Sequence, residues 1–207
     1  MPAVVGDPFG ESDILVAIQE RLLDVPGIVP TAQAMSLFGE HAAGWMGMAA
    51  VGAVVDKQNR IGWVKLGVSA FTSHAASVVI KRIVRRRRPH DPRIRIGVST
   101  PSKLSFPSSH STSTTAAMVS LMQLGAGPAP LVGIPAIMLS RLVLGVHYPT
   151  DVATGAALGA TTSVVVDKVV DAIVAKRAHN NSDINTVDLA EPIPADAPAE
   201  AEERTAK

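Results

Sequence analysis

Two histidines, three cations, two serines and one aspartate with the right types to do chemistry together lie in three short clusters of an otherwise apolar chain. The first cluster, residues 81–90, opens with Lys81 and closes on Arg88-Pro89-His90. Taken alone, its arginine run reads as a membrane anchor. The second, residues 106–113, reads FPSSHSTS and holds Ser108, Ser109 and His110. Ser108 or Ser109 can cap a helix that starts here, and the free N–H groups of its first turn then face outward as an anion site beside His110. Taken alone, the same residues are an ordinary hydroxylated helix start. The third, residues 140–151, reads SRLVLGVHYPTD and holds Arg141, His147 and Asp151. Pro149 suits a first helical turn, which puts Asp151 in that turn. An aspartate there can engage one nitrogen of His147 and leave the other as a lone pair. The bland reading of this loop is a plain turn with a surface arginine.

Whether the clusters meet depends on the elements between them. The 207 residues are 47% hydrophobic, 3% aromatic and 18% charged, with a mean hydropathy of +0.26. An ordinary soluble domain carries about 25% charge. The absence of Cys excludes disulfides, Cys-ligated zinc, iron–sulfur clusters and thiol catalysis. Residues 11–25 read as an amphipathic helix too short and too charged to cross a bilayer, and the first 13 residues lack the pattern of a secretory signal. Apolar segments follow at 31–55, 61–80, 111–140 and 149–166. The third is divided by the breaker run GAGPAP at 125–130 into two short spans. In the last, Gly155 and Gly159 stand four apart, a spacing that lets helices approach closely. About five spans result, and crossing parity then puts all three clusters on one face of the membrane.

That convergence assembles Lys81, Arg88 and Arg141 as cations, Ser108 and Ser109 with helix N–H donors, and two histidines, one with a carboxylate. The set fits phosphoryl transfer. Cations and N–H dipoles stabilise the spreading phosphate charge, one histidine attacks phosphorus, and the other protonates the leaving oxygen. The scheme requires no metal.

Lys81 with six residues before Arg88-Pro89, then Pro107-Ser108-Ser109-His110, then Arg141 with five residues before His147 and three before Asp151, resembles the type 2 phosphatidic acid phosphatase (PAP2) superfamily. The resemblance covers about residues 31 to 175. It implies that Lys81, Arg88 and Arg141 bind the phosphoryl group with help from Ser108 and the helix start. It further implies that His147 becomes a phosphohistidine, that Asp151 orients it, and that His110 is the general acid. Ser109 stands where the family commonly has Gly, and its side chain either narrows the pocket or adds a hydroxyl donor. The fold implied is an all-α, polytopic membrane bundle with one span more than counted here, the N-terminal segment standing in for it. The expected organisation is therefore an N-terminal segment with an interfacial helix (1–30), a transmembrane catalytic domain (31–178) and a disordered acidic tail (179–207).

Length and hydropathy argue against the family's soluble vanadate-dependent haloperoxidases. Within the membrane branch, the runs at 37–41, 81–90 and 139–151 look like compact actinobacterial members acting on a polyprenyl-linked phosphate. The expected partners are a lipid-linked phosphate and the bilayer, with no cofactor and no nucleic acid, and with a homo-oligomer left open. The rivals are an undecaprenyl diphosphate or phosphatidate phosphatase, and a non-catalytic protein whose arginine run binds anionic lipid. Sidedness follows from Arg82, Arg85, Arg86, Arg87, Arg93, Arg95 and Lys103 crowding into one short loop. The positive-inside bias puts that loop, and the site, on the cytoplasmic face of the plasma membrane. Glu40 and His41 read as a buried pair or a polar contact at lipid entry, His74 as an interhelical residue, and His90 as lining for the head-group pocket.

Overall fold

The computed structural model describes residues 7 and 9–188, and every regular element among them is helical. Seven α-helices follow in order: α1 (Glu11–Leu22), α2 (Ile28–Phe38), α3 (Ala43–Val55), α4 (Arg60–Val84), α5 (Ser109–Gln123), α6 (Ala129–Val143) and α7 (Pro149–Asp188). A 3-10 turn, Glu40–Ala42, joins α2 to α3. Extended pairing among these residues is limited to an isolated bridge between Arg87 and Leu104. The chain divides into two units, Met1–Val169 and Val170–Lys207. The second is described only as the continuation of α7.

The bundle buries small hydroxylated side chains beside apolar clusters such as Trp45, Leu66 and Ala117, and it exposes many large apolar residues. α5 packs against α3, α4 and α6, and its buried residues run Ser111, Thr112, Ser113, Thr114, Thr115, Ala116, Ala117 and Ser120. Small hydroxylated side chains let neighbouring backbones come close, and they satisfy themselves on the preceding turn. Thr112 Oγ1 donates to Ser108 O (2.8 Å) and Ser113 Oγ to Ser109 O (3.0 Å). α7 exploits this at the two spaced glycines: a Cβ on Gly159 would lie 2.1 Å from Thr112 O, and one on Gly155 2.7 Å from Ser108 O. On α4, Ser69, Ser73 and Ser77 are fully buried, whereas Phe71, Val79 and Ile83 are 58%, 58% and 74% exposed. Outward apolar residues of this size mark a surface meant for something other than water.

The expected span at 31–55 is two helices rather than one. His41 (φ 51) and Ala42 (φ 58) both adopt left-handed backbone, which ends α2 and restarts the chain as α3. The break makes room for a side chain of α5, because a Cβ on Gly39 would lie 2.9 Å from the His110 ring. Elsewhere the breaks fall where expected, with Gly125 (φ 87) and Gly127 (φ 64) turning the chain between α5 and α6. α4 is the one helix among the described residues long and apolar enough to cross a membrane by itself.

α1 turns an unexpected face inward. Its buried residues are Glu11, Ser12, Leu15 and Gln19, while Ile14 is half exposed. The helix is capped by Asp7, whose carboxylate accepts from the backbone N–H groups of Glu11 (2.8 Å) and Ser12 (2.7 Å). Gln19 clamps the loop beyond α4 to the end of α6, donating to Arg95 O (2.7 Å) and Val143 O (2.9 Å) and accepting from Arg95 N (2.9 Å). At the other end, the expected tail boundary at 179 falls inside α7, which runs on to Asp188 because no Gly or Pro interrupts it after Gly159. The rest of the expected disordered tail, 189–207, lies outside the described residues.

Candidate active site

A cavity of about 350 Å3 opens where the three clusters meet, lined by Lys81, Arg88, Ser109, His110, Arg141 and His147. Lys81, in the last turn of α4, is buried. Its Nζ donates to Ser105 O (2.8 Å) and to Pro107 O, tying the segment that leads into α5 to the end of α4. Arg88 lies in the loop between α4 and α5. Its Nε donates to Ser102 O (2.8 Å) and its Nη1 to Val146 O (2.7 Å). Burial pushes its guanidinium down to about 10, which leaves it cationic at neutral pH. Arg141, on α6, is 1% exposed, and its Nε and Nη1 have no hydrogen-bond partner. A buried guanidinium with idle donors is costly unless an anion meets it.

His147 sits in the α6–α7 connection, almost fully buried. Its Nε2 lies 3.2 Å from Arg88 Nη1. A guanidinium only donates, so Nε2 presents its lone pair and the ring proton belongs on Nδ1. That nitrogen faces Asp151 Oδ2 at 3.5 Å, an approach just beyond a formed hydrogen bond. Burial, reinforced by Arg88, Lys81 and Arg141, holds the imidazole well below the ordinary histidine range. A neutral imidazole with its lone pair toward the cations is a nucleophile ready for an electrophilic phosphorus.

Asp151 stands behind His147 and outside the cavity. Its Oδ2 accepts from Tyr148 N (2.8 Å) and its Oδ1 from Arg86 Nη1 (3.1 Å). Arg86 also donates to Thr150 Oγ1 (2.6 Å) and Glu11 Oε2 (2.5 Å). Glu11 in turn accepts from the backbone N–H (2.7 Å) and hydroxyl (2.8 Å) of Thr150. The guanidinium covers the Tyr148 ring at 4.1 Å. The sequence reading missed this network. Within a run of four arginines nothing distinguishes Arg86, and its partner Glu11 lies 75 positions away. The run is therefore not simply a lipid-binding strip, since Arg86 and Arg88 are both engaged inside the protein.

His110, in the first turn of α5, is held from α2, its Nε2 2.9 Å from Ser36 O. A carbonyl only accepts, so Nε2 carries the proton and Nδ1 is the atom left to exchange one. Ser108 caps α5, its Oγ accepting from Ser111 N (3.3 Å), and its backbone N–H donates to Asp151 O (3.0 Å). Ser108 is fully buried and does not line the cavity. Ser109 does, and its Oγ lies 2.7 Å from Ser77 Oγ, whose single hydroxyl proton also has His74 O (2.7 Å) as an acceptor. His90 is exposed, its Nδ1 3.1 Å from Arg88 O, and it is not part of the lining. Among the described residues no three His, Asp or Glu side chains gather as a metal ligand set.

Residues 62–174 match the PAP2 superfamily. The chain is 56% identical over 148 residues to a decaprenylphosphoryl-5-phosphoribose phosphatase of Mycolicibacterium smegmatis, covering 72% of this chain and 82% of the relative. It is 50% identical over 162 residues to the Mycobacterium tuberculosis protein of the same name, covering 78% and 92%. Among solved structures it is similar to Aquifex aeolicus LpxE, with a TM-score of 0.62 at 16% identity over 76% of this chain and 94% of that one. A transmembrane PAP2-type phosphatidylglycerolphosphate phosphatase from Bacillus subtilis gives 0.61 at 20% identity over 78% and 87%. The match spans more than half of the chain and contains every cluster that builds the cavity, so the chain belongs to the PAP2 superfamily of membrane phosphatases.

Proposed function

We propose that the protein is an integral-membrane lipid phosphatase that converts decaprenylphosphoryl-5-phosphoribose to decaprenylphosphoryl-ribose, a step in the supply of arabinan precursors. The observation that carries the phosphatase chemistry is the fully buried Arg141, with two idle donors in the cavity that also holds Arg88 and the His147 lone pair. The relatives' names supply the head group.

In this reading the terminal phosphate lies against Arg88, Arg141 and Lys81, with the Ser109 hydroxyl and the α5 start contributing donors. His147 Nε2 attacks phosphorus, forming a P–N bond as the P–O bond to the ribose breaks. In this step His110 is the imidazolium: Nε2–H stays on Ser36 O, and the second proton, on Nδ1, passes to the departing oxygen. Asp151 stabilises the charge that appears on the His147 ring. Water then attacks the phosphohistidine, giving its proton back to His110 and releasing phosphate.

Membrane placement is supported by an ion pair between α4 and α7. Lys65 pairs with Asp167 at 2.7 Å, and sixteen residues on each helix separate this pair from Lys81 and Asp151. At about 1.5 Å per residue the two polar levels are about 24 Å apart, close to a hydrocarbon thickness. The kinked α2–α3 segment and α4 to α7 would supply the five spans. The exposed Arg82, Arg85, Arg87, Arg95 and Lys103 would keep the active-site face cytoplasmic.

The test is phosphate release by detergent-purified protein from decaprenylphosphoryl-5-phosphoribose and undecaprenyl diphosphate in parallel, with and without EDTA. Preference for the ribosyl lipid, resistant to EDTA and abolished by His147→Ala, is expected. Preference for the diphosphate would move the protein to carrier-lipid recycling.

A further inference from the structure

Phosphate chemistry accounts for the Arg88, Arg141 and His147 end of the cavity and leaves the opposite end unexplained. If His110 protonates the leaving oxygen, the group attached to that oxygen extends past His110. The ring is bounded there by Ser36 O at 2.9 Å and by the close approach of Gly39. Beyond it the cavity is walled by Gln33, Glu40 and His41, with His74 on α4.

Three observations make this wall more than leftover space. His41 and Ala42 are consecutive non-glycine residues held in left-handed backbone, a conformation that persists only where the surroundings impose it and that gathers at ligand-binding sites. The Nδ1 of His74 is buried with no partner, and its ring lies 5.9 Å from that of His41. Glu40 is the one carboxylate that lines the cavity among the described residues; its side chain is half exposed, and its Oε1 lies 3.9 Å from His41 Nδ1. A carboxylate accepts hydrogen bonds from vicinal hydroxyls and repels a second phosphate, and imidazoles both donate and accept.

We propose that Glu40, His41 and His74 form a subsite for an uncharged, polyhydroxylated unit joined to the scissile phosphate, and that this subsite sets head-group specificity. The proposal rests on the phosphatase reading above and deepens it: a pentose fits this wall, and the second phosphate of a diphosphate does not.

The experiment compares kcat/KM for decaprenylphosphoryl-ribose 5-phosphate and its 2,3-dideoxyribose counterpart. The unaltered protein should prefer the hydroxylated lipid by about 10–100-fold, the effect of charge-assisted hydrogen bonds left unmade. Glu40→Gln should lower that preference and Glu40→Ala should bring it toward parity. His41→Gly, which suits the left-handed backbone and removes only the imidazole, should lower it with no loss in thermal midpoint. A preference unchanged in all three variants, or an equal loss on both lipids, overturns the subsite while the ribosyl phosphatase reading stands. Hydrolysis of undecaprenyl diphosphate with no release from either ribosyl lipid overturns that reading and the subsite together.

Discussion

The two histidines of the cavity are mounted in opposite ways. Behind His147 lies a network of hydrogen bonds and ion pairs, Asp151 to Arg86 to Glu11 and Thr150, drawn from α1, the α4–α5 loop and the start of α7; the His147 Nδ1 and Arg86 Nε atoms remain without a partner in it. His110 is held by one carbonyl of α2, beside a strained turn and the unpartnered Nδ1 of His74. A nucleophile must be fixed to fractions of an ångström and kept in one tautomer, which a dense network achieves. A leaving-group site must accept the part of the substrate that varies between lipids, and unfilled hydrogen-bonding capacity suits that task. On the proposed reading, the difference divides reaction and recognition between the two walls.

The comparison breaks most severely at Arg86. Arg86→Gln leaves Glu11 and Asp151 buried without their countercharge, with a cost of about 3–5 kcal/mol in stability. Thermal unfolding in detergent should show a lower midpoint, partly restored in the double variant with Glu11→Gln. Equal midpoints for Arg86→Gln and Arg87→Gln would show that the network carries nothing.

On the other wall, Gly39→Ala puts a methyl group 2.9 Å from the His110 ring. About tenfold should be lost from kcat on an alkyl phosphate, a fraction of the usual contribution of general-acid catalysis. Less should be lost on p-nitrophenyl phosphate, whose leaving group needs no proton. Equal losses on both substrates would detach Gly39 from the acid step.

The smallest effect is in the pH profile. The folded-state pKa of His147 is depressed below its unfolded value of about 6.5. The nucleophile therefore stays neutral as pH falls through 6.5, and the acid limb of kcat/KM assigned to it should lie well below that value. Between the two pKa values the unfolded chain binds the extra proton, so this group's contribution to stability is present above about 6.5 and lost as pH falls. A His147 imidazole that titrates near 6.5 in the folded protein, followed by NMR, would contradict the buried, cation-facing ring.

The meeting of the three clusters was legible in the sequence. Lys81, Arg88, Ser109, His110, Arg141 and His147 do meet in one cavity, because apolar segment lengths and crossing parity constrain where their ends lie. Gly155 and Gly159 also announced a close helix contact, since only absent side chains permit it. The supporting residues were not legible. Arg86 and Glu11 are ordinary surface types by composition, and only the tertiary fold buries them together. The kink at His41 was hidden because neither His41 nor Ala42 is a residue that normally turns a chain. Composition marks a boundary near 179, whereas α7 continues to Asp188 because no helix breaker stands there.

The central claim is that His147 carries the phosphoryl group. The most direct measurement is brief exposure to substrate labelled with 32P in the terminal phosphate, quenched in alkaline detergent where phosphohistidine survives, followed by peptide mapping. The account predicts label on the peptide containing His147, and neither label nor phosphate release from the His147→Ala variant. Label on another residue, or turnover persisting in that variant, would contradict it.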